Sequence, residues 1–149
     1  LMQIDVLYPT LEAERRILLE TTGAKSTTAQ PVLSAEELRS FQLIIRKMPV
    51  GESVMEAILE LVRSARPDSS ALNAMTRHIA WGPGPRASQA LMLTVRARAL
   101  LEGRLAPSLD DVLALAEPVL QHRMALSFSA RADGLSVRDI IASLKSKIG

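Results

Sequence analysis

Apolar residues recur every three or four positions along most of this 149-residue chain, which is the spacing of amphipathic helices. Serine, threonine or proline stands at the start of most of these segments, and glycine follows several of them, as helix caps require. The pattern predicts helices over residues 11–22, 34–48, 52–66, 85–102, 109–116, 118–123 and 136–148. We therefore expect an all-α fold, a bundle of about six or seven helices.

Two of these helices have a clear apolar stripe, and one stretch of the chain has none. The stripe of the third helix consists of Val54, Ile58, Val62 and Ala65, and it is expected to face the core. The second helix is expected to bury Leu38, Phe41, Ile45 and Met48 in the same way. The pattern over residues 68–80 is weak, so a short helix and an irregular loop both stay open there.

The first eight residues follow a different pattern, because apolar side chains occupy the even positions from Met2 to Tyr8. This period of two is typical of a half-buried strand, and no second convincing strand is evident in the sequence. A lone strand cannot satisfy its own backbone groups, so it must pair outside this chain or with another copy. We interpret residues 1–9 as the remnant of an absent domain and residues 10–149 as a helical domain.

The composition and motifs argue against most kinds of catalytic and binding site. The chain has no cysteine, and His78 and His122 have no helical relation to each other, so no metal site is expected. No phosphate-binding loop or nucleophile elbow is present. The net charge is +2 with acidic residues interspersed, and the apolar runs are too short to span a bilayer. We expect a cytoplasmic chain that is inactive alone and binds neither nucleic acid nor membrane.

The segment Trp81–Arg86 leads directly into the most apolar predicted helix. Pro85 suits the first helical position, and Arg86 then lies in the first turn. A cation there opposes the helix dipole, whereas a bound phosphate would be favoured by the dipole and by the arginine. From these residues alone, a solvated surface arginine is the simpler interpretation.

Four motifs together resemble the lid region of MoxR-family AAA+ ATPases, and they occur in the order in which that family has them. Residues 134–137 also resemble the family's ending, and the resemblance covers essentially the whole chain. The four motifs are Trp81–Ala87, Ala97–Leu100 with Gly103–Arg104, Ser108–Val112, and Val119–Arg123.

This resemblance implies the C-terminal lid of an ATPase whose core domain, absent here, binds ATP and Mg. Arg86 matches sensor 2, the arginine that a lid helix extends toward the terminal phosphates, although the family more often reads Gly-Ala-Ser-Pro-Arg-Ala where this chain has Gly82–Ala87. Tyr8 and Pro9 would lie at the hinge between core and lid, on the adenine side. Residues 1–7 would be the last strand of the core sheet.

The resemblance also implies what the full-length protein does. It would be a chaperone-like ATPase that remodels or assembles other protein complexes, as a ring that we expect to be a hexamer. Proteins with von Willebrand factor A domains would be its partners. The 149-residue chain alone is expected to bind no nucleotide and to hydrolyse none, since the phosphate loop and the metal ligands are missing.

Two other functions stay open. A helix-turn-helix nucleic-acid module can be drawn over residues 109–123, although Glu117 and the Asp110–Asp111 pair oppose a phosphate-facing surface. A helical protein-interaction adaptor is the other.

We interpret the Asp110–Asp111 pair as helix-capping, and His122–Arg123 as a satisfied histidine beside a helix C-terminal charge. Arg96, Arg98 and Arg104 are interpreted as solvated or C-terminal charges.

Overall fold

The computed structural model describes residues 1–24, 28–67 and 77–149. Within these ranges the chain forms seven helices and two short strands, and the predicted all-α class is confirmed. The elements are α1 (Leu11–Thr21), α2 (Ala35–Lys47), α3 (Glu52–Ser64), β1 (Ile79–Trp81), α4 (Pro85–Leu101), α5 (Leu109–Leu120), β2 (Ala125–Leu126), α6 (Phe128–Ala132) and α7 (Val137–Lys145).

Helix α4 is the centre of the bundle, and α2, α3 and α5 all pack against it. Ala87, Ala90 and Ala99 on α4 are buried, and such small side chains let neighbouring helices approach closely. Helix α7 packs against both α5 and α3 and closes the core. The stripe predicted for α3 is buried, from Val54 to Ala65. No helix in the described ranges is long and apolar enough to cross a membrane.

The predicted helix ends are confirmed where they depend on local sequence. Ser34 forms a capping box with the residue three positions on, and Ser108 and Ser136 do the same at the starts of α5 and α7. Gly103 and Gly134 have φ values of 74° and 78°, in the left-handed region that favours glycine. These caps separate the helices at the predicted positions.

The burial predicted for α2 is wrong over its first half. Leu38 and Phe41 are 51% and 44% exposed, Ile45 is half-buried, and Met48 is buried. Helix α2 contacts α4 around Gln42, Ile45 and Arg46, and it has no fully buried residue. Helix α1 has none either. The apolar stripes of both helices therefore lie largely in solvent.

The strand predicted over residues 1–8 does not form in this structure. Residues 1–10 have no regular secondary structure, and they are exposed. A strand needs the edge of another strand, and the two strands in the described part of the chain pair with each other instead. Pairing of residues 1–7 with the sheet of a core domain stays a prediction.

Two further expectations need correction. Helix α5 continues through Pro118 to Leu120, whereas a separate helix starting at Pro118 was expected. The missing N–H removes one hydrogen bond near the helix end, and burial of Val119 and Leu120 holds the last turn in place. The sequence pattern did not predict β1, β2 or α6. Most of the open stretch, residues 68–76, lies outside the described residues.

Candidate functional site

The segment Trp81–Pro85, called the approach segment below, begins in a strand. Trp81 pairs with Ala125 of the antiparallel strand β2, and Ile79 pairs with Leu126. Just outside the pair, the backbone N–H of Ser127 donates to the carbonyl oxygen of His78 over 2.8 Å. The start of the approach segment is therefore fixed by backbone hydrogen bonds to a distant part of the chain.

The next residue, Gly82, packs against the end of α3. A Cβ at this position would lie 2.2 Å from the carbonyl oxygen of Ala65 and 2.8 Å from the Cα of Arg66. Both distances are too short for a carbon atom, so only glycine fits without a backbone shift. Gly84 differs, because a Cβ there would meet nothing within 4 Å.

Pro83 connects the approach segment to α3 a second time. The Nε–H of Arg66, just beyond the end of α3, donates to the carbonyl oxygen of Pro83 over 2.9 Å. Pro83 is buried, and its ring fixes φ. Three consecutive residues of the approach segment are thus held, and α4 starts from a rigid base.

Arg86 extends from the start of α4. Gly84 is the N-cap residue and Pro85 follows in the first turn, so no side chain caps this helix and no acidic residue lies in its first turn. Arg86 is exposed, and among the described residues nothing forms an ion pair or side-chain hydrogen bond with it. An uncapped helix N-terminus with an unpaired arginine can bind an anion such as a phosphate.

The other predicted site residues, Tyr8 and Pro9, are also exposed. Tyr8 is fully exposed, and Pro9 lies directly before the N-cap residue of α1. The residues that precede them in the chain are held by hydrogen bonds. The backbone N–H of Gln3, for example, donates to the carbonyl oxygen of Pro118 over 2.8 Å. The structure places Tyr8 and Pro9 between a held segment, residues 1–5, and a helix.

The motif Val119–Arg123 and the helix that carries it hold this segment. The side-chain amide of Gln121 donates to the carbonyl oxygen of Gln3, and the guanidinium of Arg123 donates to that of Leu1, each over 3.2 Å. His122 is exposed and lies between the two donors. From the sequence, Arg123 is interpreted as a helix C-terminal charge. Its partner Leu1 lies more than a hundred residues away, so no local sequence pattern could indicate this bond.

Arg138 completes this set of contacts. Its guanidinium pairs with the carboxylate of Asp5 and, over 2.9 Å, with that of Glu117 on α5. All three side chains are partly exposed, so the pair energies are small, and their combined effect is to align the segment with α5 and α7. The charges of Arg138, Asp5 and Glu117 therefore pair with one another within this chain.

Asp111 is fully buried, and it belongs to an ion cluster with Arg98, Glu102 and Arg104. The two carboxylate oxygens of Asp111 accept hydrogen bonds from Arg104 over 2.7 and 2.8 Å. The bonds from Arg104 hold the pKa of Asp111 below its usual value, and the backbone bond from Ser108 adds to this effect. The same pair raises the pKa of Arg104.

This cluster corrects the interpretation of Arg98 and Arg104 as solvated or C-terminal charges, because both pair with the buried Asp111, and it confirms the capping role of Asp111. The cluster joins the end of α4 to the start of α5. The carboxylate of Asp111 accepts bonds from Arg104 and Ser108 on both oxygens, so it is not available as a general base. In the ranges that the structure describes, no group of three or more potential ligands could hold a metal ion. Arg86 is therefore the strongest candidate site residue.

Comparison with known proteins agrees with this architecture. Residues 72–144 match the family model described as the AAA lid domain. The chain is 31% identical over 142 residues to the chaperone MoxR1 of Mycobacterium tuberculosis, which covers 95% of this chain and 37% of MoxR1. It is 29% identical over 149 residues to the uncharacterised protein YeaC of Bacillus subtilis, covering 99% of this chain and 44% of YeaC.

A solved structure shows the same fold. The crystal structure of a candidate ATPase from Cytophaga hutchinsonii matches this chain with a TM-score of 0.90 and 27% sequence identity. The match covers 99% of this chain and 46% of the other. This chain therefore spans less than half the length of each of these three proteins.

Proposed function

We propose that this chain, a lid domain of the MoxR family of AAA+ ATPases, closes over ATP bound to a core domain and supplies Arg86 as the sensor-2 arginine. The full-length protein is then a chaperone-like ATPase that acts on other protein complexes. MoxR1, the relative with 31% identity, is named as a chaperone, which supports this assignment.

The observation that carries the proposal is the unpaired state of Arg86 on a rigid base. A cation in the first turn of a helix is unfavourable by roughly 0.3–1 kcal/mol, and no acidic side chain in the described part of the chain offsets this. A triphosphate would supply the missing negative charge. Charge-assisted hydrogen bonds from the guanidinium and from free N–H groups of the first turn would then hold its terminal oxygens.

Arg86 would contribute to the reaction by electrostatics. During phosphoryl transfer negative charge is spread over the phosphoryl oxygens, and a fixed cation stabilises that charge without reorganisation. The approach segment suits this role because it is held at Trp81, Gly82 and Pro83, so the helical turn that carries Arg86 has a fixed position before the nucleotide arrives. The core domain would hold Mg-ATP, and Mg would neutralise further phosphate charge.

Tyr8 and Pro9 are proposed to form the hinge on the adenine side of that site. Tyr8 is fully exposed, so its ring face is open to a planar base, and Pro9 stiffens the step into α1. The exposed apolar side chains of α1 and α2, including Leu18 and Phe41, are proposed to contact the core domain or a neighbouring subunit of a ring. We propose a hexamer, with von Willebrand factor A proteins as partners.

The test is substitution of Arg86 in the full-length protein. Arg86→Ala is expected to reduce ATP turnover by about 100- to 1000-fold, as loss of a transition-state donor does. The matched control is Arg39→Ala, which removes another exposed arginine, on α2. Unchanged turnover in an Arg86→Ala protein that melts normally would remove the sensor-2 assignment. The 149-residue chain alone is expected to show no hydrolysis.

A further inference from the structure

The end of α3 and the approach segment are connected by one side chain, that of Arg66. Its own backbone is fixed, because its N–H donates to the carbonyl oxygen of Arg63 over 3.0 Å in the turn that ends the helix. Its side chain is half-buried and donates through Nε to the carbonyl oxygen of Pro83. Pro83 precedes Arg86 by three residues, so this bond lies at the base from which Arg86 extends.

The other contacts of the approach segment with β2 and α3 lie before Pro83 in the chain. Trp81 is held by strand pairing and Gly82 by contact with Ala65, both before Pro83. Beyond Pro83, a Cβ on Gly84 would meet nothing within 4 Å, and the carbonyl oxygen of Gly84 accepts the bond from the N–H of Ala87 that starts the helix. The bond from Arg66 is thus the last hydrogen bond from the end of α3 to the chain before Arg86.

We propose that Arg66 is a positioning residue for Arg86: its Nε–H fixes the carbonyl of Pro83 and so aims the Arg86 side chain at the phosphate site. This inference rests on the proposed function of Arg86 as sensor 2. Arg66 acts through the backbone of the approach segment, and the donor at Nε carries the effect rather than the positive charge.

The atom that donates makes the proposal testable with two conservative variants. In glutamine, the amide nitrogen Nε2 follows Cδ, as Nε does in arginine, so Arg66→Gln keeps an N–H donor at that position and removes the charge. In lysine, a CH₂ group takes that position, so Arg66→Lys keeps the charge and moves the donor one atom further out. The two variants therefore separate hydrogen bonding from charge.

The experiment measures ATP turnover in the full-length protein. We expect Arg66→Lys and Arg66→Ala to lower kcat by about 10-fold with little change in KM, since a misplaced catalytic group affects the transition state most. Arg66→Gln is expected to stay within about 2-fold of the original protein. Arg63→Ala, an exposed arginine in the last turn of α3, is the control and should have no effect. The reverse order, with Lys active and Gln impaired, would overturn the proposal.

A double substitution tests whether Arg66 acts through Arg86. When Arg86 is already alanine, adding Arg66→Ala should lower kcat by less than about 2-fold, because there is no guanidinium left to position. A further 10-fold loss in that background would mean an independent structural effect and would contradict the inference. If Arg86→Ala alone has no effect, the proposed function fails. If Arg86→Ala slows turnover but Arg66→Lys does not, only the positioning role fails.

A second measurement needs no ATPase activity. The backbone N–H of Ala87 donates to the carbonyl oxygen of Gly84 over 3.0 Å, directly after Pro83. Hydrogen exchange of this N–H in the 149-residue chain should be faster in Arg66→Lys and unchanged in Arg66→Gln. Thermal unfolding of both variants checks that they fold. Equal exchange in the two folded variants would show that the bond does not hold the segment.

Discussion

Gly82 lies so close to Ala65 that a Cβ on the glycine would be 2.2 Å from the alanine carbonyl oxygen. A side chain at this position must push β1 and α3 apart. We expect Gly82→Ala to lower the free energy of unfolding by about 1–3 kcal/mol, as overpacking does. Gly84→Ala is the control, because its Cβ would meet open space and its φ of −83° is ordinary. Urea denaturation of the 149-residue chain measures both, and equal losses would contradict the contact.

Under the proposed sensor-2 role, reversing the charge of Arg86 is expected to stabilise the lid and to abolish ATP turnover in the full-length protein. A glutamate in the first turn of α4 interacts favourably with the helix dipole, so Arg86→Glu should raise the melting temperature by roughly 1–3 °C at low salt. The gain should shrink at high salt, because the site is exposed. In the full-length protein the same variant should lose ATP turnover. A lower melting temperature would mean that Arg86 has a stabilising partner.

The two adjacent aspartates of α5 should respond very differently to substitution. Asp111→Ala removes both bonds to Arg104 and the capping bond to Ser108, so we expect a loss of about 2–3 kcal/mol. Asp110 is exposed, and Asp110→Ala should change the free energy of unfolding by less than about 0.5 kcal/mol. Chemical denaturation of the two variants compares them directly. Similar losses would mean that the ion cluster contributes nothing specific.

The lowered pKa of Asp111 predicts a pH dependence of stability. The bonds from Arg104 make the folded state take up this proton at lower pH than the unfolded chain does. The stabilisation is therefore fully present above the usual carboxyl pKa, and it is lost as pH falls below about 4 through the folded-state value. The urea midpoint should fall between pH 5 and pH 3, and less steeply in Asp111→Asn. Parallel curves for the two proteins would exclude this contribution.

The pH profile has other contributors, the exposed carboxylates of Glu37, Glu102 and Asp139, whose pKa values are lowered by their hydrogen bonds and which serve as an internal comparison. The pKa of Asp139 is also lowered, by its side-chain and backbone bonds to Ser136 at the start of α7. This carboxylate is exposed, so its share should be small and should decrease with added salt. Asp111 is buried, so its contribution to the pH dependence should persist when salt is added. A series at two salt concentrations separates the contribution of the buried Asp111 from that of the exposed carboxylates.

The sequence was informative where structure depends on neighbours along the chain. The helical spacing of α3 and the serine caps act within one turn, so their positions could be predicted closely. The stripe of α2 has the same periodicity, yet Leu38 and Phe41 are exposed. Periodicity shows which face of a helix is apolar, and it does not show whether another element covers that face.

The missed features depend on residues far apart in sequence. Strand β1 has three residues and β2 has two, too short for an alternating pattern, and each exists because the other pairs with it. The bond from Arg66 to Pro83 could not be predicted for the same reason, because the two residues are 17 positions apart. The position of Arg86 in a first helical turn could be predicted from Pro85. Its sensor-2 role came from family resemblance and stays a proposal.

The segment of residues 1–5 is attached to the bundle in a way that affects the order of folding. Its bonds to Gln121, Arg123 and Arg138 join positions 118 to 133 residues apart, so they close very long loops. They can form only after α5 and α7 exist, so we expect this segment to dock late in folding. Its side chains are exposed, so undocking it leaves the hydrophobic core intact. The helices of the lid can therefore change their angle to this segment while they remain folded.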